Sequence, residues 1–237
     1  MSNDRIERIR QAEAFSHREA YQNLKLYEAG SWLSRPVKAI FDLIPYFEKY
    51  NSFRGLDLGC GVGRNCIPVL KALSDIKSTM DCVDILPVAI EKLGENAAEY
   101  GVSSGVNGIL CAADRYQIPE NSYDLILGIA ILEHLDSPET LKRKLAEIRK
   151  GLRPDGIACF VINTSIEEHD CISGAPLDVQ FEIALTAEEM KQNLNEAFSG
   201  FEVLKCSVTH YQYDTYREAG MVRLDTDVLT YAVRKRN

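Results

Sequence analysis

From Phe53 to Ile162 the chain alternates short apolar runs with segments of helical period, and this rhythm constrains the fold more than any other feature. The runs Phe53–Leu58, Thr79–Val83, Val106–Cys111, Tyr123–Ile129 and Gly156–Ile162 read as strands. Between them, Asn65–Leu73, Pro87–Tyr100 and a segment opened by Ser137 and Pro138 and stopped by Gly151 read as helices. Strands that alternate with helices must lie parallel, because a parallel neighbour needs a long crossover. The predicted fold is α/β: a doubly wound, Rossmann-like, seven-stranded mixed sheet with helices on both faces. Its last two strands, Phe201–Val208 and Asp227–Val233, have no helical run between them and are expected to be antiparallel neighbours. In the last strand Val228, Thr230 and Ala232 should face one way, and Leu229, Tyr231 and Val233 the other. The polar stretch 209–226 reads as their link. Thr186 to Glu189 reads as a capping box before a helix ending near Phe198.

Ahead of this rhythm lies a polar, helix-prone segment over residues 4–29. Ser34 and Pro36 are expected to open a second helix with Val37, Ile40, Phe41, Ile44 and Phe47 on one face. The expected division is a helical extension over 1–35, a lid candidate, and a main domain over 36–237. Tyr21, Tyr27 and Trp32 could close over a ligand or simply pack the extension down, and Arg35 could meet a ligand carboxylate.

The first strand runs into Leu56-Asp57-Leu58-Gly59-Cys60-Gly61-Val62-Gly63-Arg64, a strand, glycine turn and helix in sequence. Glycines let the backbone turn tightly and approach a ligand with no Cβ in the way. Asp84 closes the second strand 21 residues after Gly63, where a carboxylate can accept from both hydroxyls of a ribose. Ile85 beside it offers an apolar face to a purine, and Asp114 follows the third strand at the same edge. One ligand site at the C-terminal edge of the sheet is implied.

These segments resemble the motifs of the class I S-adenosylmethionine-dependent methyltransferases, in order and spacing: LDLGCGVGR, VDI, AAD, YDLILGIAILEHL and LRPDGIACFV. The resemblance implies S-adenosylmethionine as cofactor and S-adenosylhomocysteine as product. It implies that Asp57 orients the glycine loop and that Gly59, Cys60 and Gly61 pass under the methionine part. Asp84 would hold the ribose and Ile85 pack on the adenine. Asp114, beside the Ala113 backbone, would accept from the adenine amino group, and the Ile129 carbonyl would meet the methionine ammonium. Gly63-Arg64-Asn65, HDCISGAPLD and LTYAVRK are also similar to the tellurite-resistance methyltransferases and their small-molecule relatives.

No catalytic residue is named outright. Glu133 and His134 follow the fourth strand, where this fold opens on the acceptor, and are the candidates; polar residues that only support the structure around the site are the alternative. His169, Asp170, His210, Tyr211 and Tyr213 are expected in loops at the same sheet end. The Asn/Asp-Pro-Pro-Tyr signature of amino-group methyltransferases is absent after the fourth strand, and no cysteine ends the fourth or fifth strand to attack a cytosine.

Composition narrows the partners. With 27 basic against 35 acidic residues the net charge is −8, which lacks the field that releases phosphate counterions. A small-molecule acceptor and no nucleic acid partner are therefore expected, and Arg234-Lys235-Arg236 reads as a solubilising tail. No apolar stretch approaches 20 residues, so no membrane partner is expected. Neither a secretory leader nor a metal site is expected, since the seven cysteines form no CxxC or CxxH pair; a reduced, cytoplasmic setting fits them. Two rival functions stay open: a methyltransferase-fold subunit serving a catalytic partner, and a nicotinamide-dependent oxidoreductase. The oxidoreductase is disfavoured by the absent third glycine of G-x-G-x-x-G and of a Tyr-x-x-x-Lys set.

Overall fold

The computed structural model describes residues 3–217 and 220–236. The strands are β1 Ser52–Leu58, β2 Lys77–Asp84, β3 Val106–Leu110, β4 Tyr123–Ile129, β5 Leu152–Asp170, β6 Pro176–Leu177, β7 Glu202–Arg217 and β8 Gly220–Arg234. They form one sheet in the order β3-β2-β1-β4-β5-β8-β7, with the two-residue β6 added beside β5. Strands β1 to β5 pair in parallel, and β8 inserts antiparallel between β5 and β7. The expected mixed sheet is present, with the last strand inside it rather than at the edge.

The helices are α1 Asn3–Asn23, α2 Lys38–Phe41, α3 Cys66–Ala72, α4 Pro87–Glu99, α5 Pro138–Gly151 and α6 Ala187–Ala197. Two apolar layers flank the sheet. Leu125, Leu127, Ile129 and Cys159 face α3 and α4 residues such as Ile67 and Leu93. Leu56, Ile126, Phe160, Leu229, Tyr231 and Val233 face α5 and α6 through Leu145, Ile148 and Leu194. Leu229, Tyr231 and Val233 thus share one layer and Ala232 lies in the other, as the period of two requires. Ser137 accepts from the Thr140 amide at the start of α5, and Thr186 with Glu189 forms the full capping box of α6.

Three expectations are corrected. The single helix after Ser34 is instead a 3₁₀ turn at Trp32–Ser34, the one-turn α2, and a second 3₁₀ turn at Ile44–Tyr46. The side chain that caps is Ser31, which accepts from the Leu33 amide. Pro45 explains the break, since it lacks an N–H and disfavours the α conformation at Ile44. The stretch 209–226 is not a link: its described residues continue β7 and β8 as a long antiparallel pair, and residues 218–219 lie outside the described residues. Its outer strand is exposed along most of its length, so polarity there marks a solvated edge strand. For the same reason His169 and Asp170 lie on β5, and His210, Tyr211 and Tyr213 on β7, rather than in loops. The overlong β5 and this strand pair project past the C-terminal edge of β4 and carry side chains to the site.

Candidate active site

The glycine turn after β1 sits at the C-terminal edge of the sheet, next to the ends of β2 and β4. Gly59 and Gly61 have φ of +69° and +52°, the left-handed region that a Cβ disfavours. The Gly59 and Cys60 amides donate to the Val83 carbonyl, and the Gly61 amide donates to Asp84 Oδ2 at 2.9 Å. The Leu86 amide donates to Asp84 Oδ1 at 2.9 Å. Asp84 therefore joins the glycine turn to the start of α4. Burial raises its pKa, opposed by these amides. Ile85 next to it stands 54% exposed, an unusual position for an isoleucine and one that fits an apolar ligand face.

Asp57 lies under the turn and is fully buried, and neither of its carboxylate oxygens has a hydrogen-bond partner. Burial first, and the charge of Asp84 second, push its pKa up to about 7. Cys60 contributes only its backbone, since its buried thiol donates to the Gly61 carbonyl. At the end of β4, Ile129 is buried and Ala130 is exposed with φ +51°, a strained conformation for alanine. Ala113 and Asp114 follow β3, and Asp114 Oδ2 lies 3.8 Å from Arg10 Nη2 of α1. The predicted cofactor residues thus gather at the C-terminal edge of the sheet.

Helix α1 lies over that edge. A Cβ on Gly61 would stand 2.8 Å from the Tyr21 hydroxyl, so Tyr21 rests directly on the turn. His17 stacks on Tyr21 at 5.5 Å and meets Trp32 edge-on at 5.8 Å. Tyr27 donates to the Arg64 carbonyl at 2.9 Å, and Arg64 donates to the Trp32 carbonyl and covers its ring. Arg35 is exposed; the arginine close to Asp57 and Tyr21 is Arg64.

Glu133 and His134 occupy a 3₁₀ turn after β4. The Asn163 amide and Nδ2 both donate to Glu133 Oε1, at 2.9 and 2.7 Å, while the buried Oε2 has no partner. Burial raises the Glu133 pKa. His134 Nδ1 lies 2.9 Å from Glu182 and 3.2 Å from Glu13 of α1. Burial alone would lower the His134 pKa, but Glu13 and the Glu182 hydrogen bond outweigh it and push it up to about 9. His17 moves the other way, to about 4, through burial and then the positive charge of His134 and Arg217. Glu13, His17, Glu182 and Arg217 carry no motif. Glu182 sits in an irregular stretch and Arg217 at the end of an edge strand, so only tertiary folding assembles them.

The cofactor residues fit S-adenosylmethionine on the structure's own terms. A buried, unpartnered carboxylate underlies a turn that tolerates no Cβ, and a carboxylate and an exposed isoleucine follow at the next strand end. Residues 56–156 match the family model described as "Methyltransferase domain". The chain is 32% identical over 109 residues to tRNA N(3)-cytidine methyltransferase METTL2 from Bos taurus, covering 45% of this chain and 28% of that protein. It is 28% identical over 118 residues to malonyl-[acyl-carrier protein] O-methyltransferase from Halalkalibacterium halodurans, covering 48% of this chain and 42% of that protein. The chain thus spans less than half the length of these relatives. The solved structure of a SAM-dependent methyltransferase from Methanosarcina mazei superposes with a TM-score of 0.60 at 16% identity, covering 85% of this chain and 99% of that one.

The expectation of a small-molecule acceptor with no nucleic acid partner is corrected by the METTL2 relatives, which are tRNA methyltransferases. Net charge was too coarse a guide. Folding also brings Lys235 and Arg236 beside Arg149 and Lys150 around one shallow cavity, a basic grouping that the sequence scatters. Residues 56–156 form a methyltransferase domain with the fold of the S-adenosylmethionine-dependent methyltransferases, and the residues at its sheet edge fit S-adenosylmethionine as cofactor.

Proposed function

We propose that the chain transfers the methyl group of S-adenosylmethionine to a neutral ring nitrogen of a nucleobase, cytidine in RNA, beneath a lid formed by α1. The observation that carries this reading is the unpartnered Oε2 of Glu133, buried in the turn that follows β4. In the transfer, the nitrogen lone pair attacks the methyl carbon, the nitrogen–carbon bond forms, and the sulfur keeps the electrons of the breaking bond. The positive charge moves from sulfur to the acceptor. An unprotonated ring nitrogen needs no general base, so the side chains have to position it and stabilise a growing cation.

The surroundings suit that demand. Glu13, Glu133, Glu168, Glu182 and Asp114 outnumber His134, Arg10 and Arg217 in this charged cluster. Burial holds Glu13 and Glu133 at raised pKa, so a cation arriving beside them favours their ionised forms. The oxygen acceptor of a malonyl group is a carboxylate, which these acids would repel. The METTL2 relatives carry the nitrogen acceptor in their name.

Residues that would hold the donor are Asp57, Gly59, Gly61, Asp84, Ile85, Asp114 and Ile129. In the closed arrangement Arg5 donates to the Val179 and Phe181 carbonyls, and Arg10 and Glu13 reach Glu182 and His134. Closure of α1 by these contacts would exclude water from the transfer. The test is release of S-adenosylhomocysteine with RNA oligonucleotides that contain cytidine or have it replaced by uridine. Release only with cytidine is expected. Equal release from both, or none from either, overturns the reading.

A further inference from the structure

Among the described residues, the buried side-chain atoms without a hydrogen-bond partner are the two oxygens of Asp57, Glu133 Oε2 and Arg217 Nε. Asp57 belongs to the donor site. The other two adjoin the stacked pair Phe181 and His134, Glu133 as the chain neighbour of His134 and Arg217 over the Phe181 ring, and have opposite character: one accepts and one donates. Both are held still. Glu133 is fixed through Oε1 by the two Asn163 donors. Arg217 is fixed by its Nη2, which donates to buried Glu168 at 3.0 Å, and by the Phe181 ring, whose centroid is 5.7 Å from the guanidinium carbon. Phe181 also stacks on His134 at 4.9 Å, so β7 and the turn after β4 meet across one aromatic ring. Tyr213 on β7 lies within electrostatic reach of both Arg217 and Glu133, as does Glu13.

Buried polar groups are almost always paired, so two fixed and unpaired ones joined through the Phe181–His134 stack ask for a ligand. We propose that Glu133 and Arg217 read the edge of the acceptor on either side of the reacting nitrogen. Glu133 Oε2 accepts from an exocyclic amino group, and Arg217 Nε donates to a carbonyl oxygen. A ring nitrogen between an amino group and a carbonyl is the pairing edge of cytosine. Uracil puts a second carbonyl where Glu133 needs a donor, and that mismatch leaves a buried carboxylate facing an oxygen. This inference rests on the nucleobase reading of the function and names the residues that would give it specificity. A site built to bond a donor rejects an analogue lacking it far more strongly than a site that merely fits its shape.

The test compares RNA oligonucleotides that carry cytidine with ones that carry its analogue with hydrogen in place of the 4-amino group. The wild-type chain should prefer cytidine by about a hundredfold in kcat/KM. Glu133→Gln keeps an oxygen for Asn163 and puts an amino donor where Oε2 stood. It should lower turnover of cytidine at least tenfold and reduce the preference to a few-fold, with S-adenosylhomocysteine affinity unchanged. Arg217→Lys keeps a cation for Glu168 but removes Nε–H, and should raise KM for cytidine with donor affinity unchanged. A wild-type chain that methylates cytidine and its 4-deamino analogue equally, or a folded Glu133→Gln that keeps the full preference, overturns this inference and leaves the proposed function standing. If Glu133→Gln does not fold, the wild-type comparison decides alone. A chain that methylates neither RNA fails at the proposed function itself, and the inference falls with it.

Discussion

His134 Nδ1 donates to the Glu182 carboxylate across 2.9 Å, and this buried contact ties the turn after β4 to the stretch that α1 grips. Glu13 approaches the same nitrogen at 3.2 Å from α1. The histidine therefore holds three segments together when it is charged. Its folded pKa of about 9 stands above the ordinary 6.5, so this stabilisation is fully present below pH 6.5 and is lost as pH rises through 9. The linked free energy is on the order of 3 kcal/mol. Melting temperatures from pH 6 to 9.5 should fall for the wild type and fall much less for His134→Gln. Parallel curves would show that His134 does not carry the charge.

Asp57 gives a second pH dependence, of opposite sense and in the donor site. Its pKa of about 7 means that a sizeable fraction is protonated at neutral pH, and both its oxygens are unpaired. A donor that brings an ammonium group near it binds the ionised form better. Calorimetric affinity for S-adenosylhomocysteine should rise several-fold from pH 6 to pH 8, and Asp57→Asn should flatten that rise. A flat wild-type profile would separate Asp57 from donor binding.

Gly61 combines φ +52° with a close neighbour. Gly61→Ala would strain the backbone by roughly 1–2 kcal/mol and place its Cβ 2.8 Å from the Tyr21 hydroxyl. The expected outcome is a melting point lower by several degrees and donor affinity weakened at least tenfold. Adding Tyr21→Ala should relieve the clash and not the strain, so the pair should be non-additive. Additive losses would place Tyr21 away from the turn in solution.

Truncation separates lid from core. Ile9, Tyr21, Leu26 and Leu33 are all buried, and the last three pack with α3 and α4 residues, so removing everything through residue 30 exposes the main core. Removal of residues 1–19 spares Tyr21, Leu26 and Leu33. It should leave a folded chain that binds S-adenosylhomocysteine and transfers methyl groups at least tenfold more slowly. Unchanged turnover, measured beside a melting curve, would show that α1 is no lid.

The glycine turn and the strand end beside it were legible in the sequence because their requirements are local. A glycine turn needs positive φ at Gly59 and Gly61, and a strand end fixes where Asp84 and Ile85 stand. The same holds for β1 to β4 and for the caps at Ser137 and Thr186, where residues a few positions apart determine the geometry. The charged cluster around His134 was not legible. Glu13, Glu182 and Arg217 come from α1, an irregular stretch and an edge strand, and they meet only after folding. The long strand pair hid for a related reason, since an edge strand exposed to water shows no apolar alternation. Around Pro45 the apolar spacing is helical, yet the proline breaks the helix after Ser34.

The most direct measurement of the central claim is mass spectrometry of nucleosides from unmodified tRNA incubated with the chain and S-adenosylmethionine. Asp84→Ala serves as the control, since Asp84 joins the glycine turn to α4. The account predicts cytidine methylated at its ring nitrogen with the wild type and at least tenfold less with the variant. RNA left unmethylated by a wild-type chain that binds S-adenosylhomocysteine would contradict it.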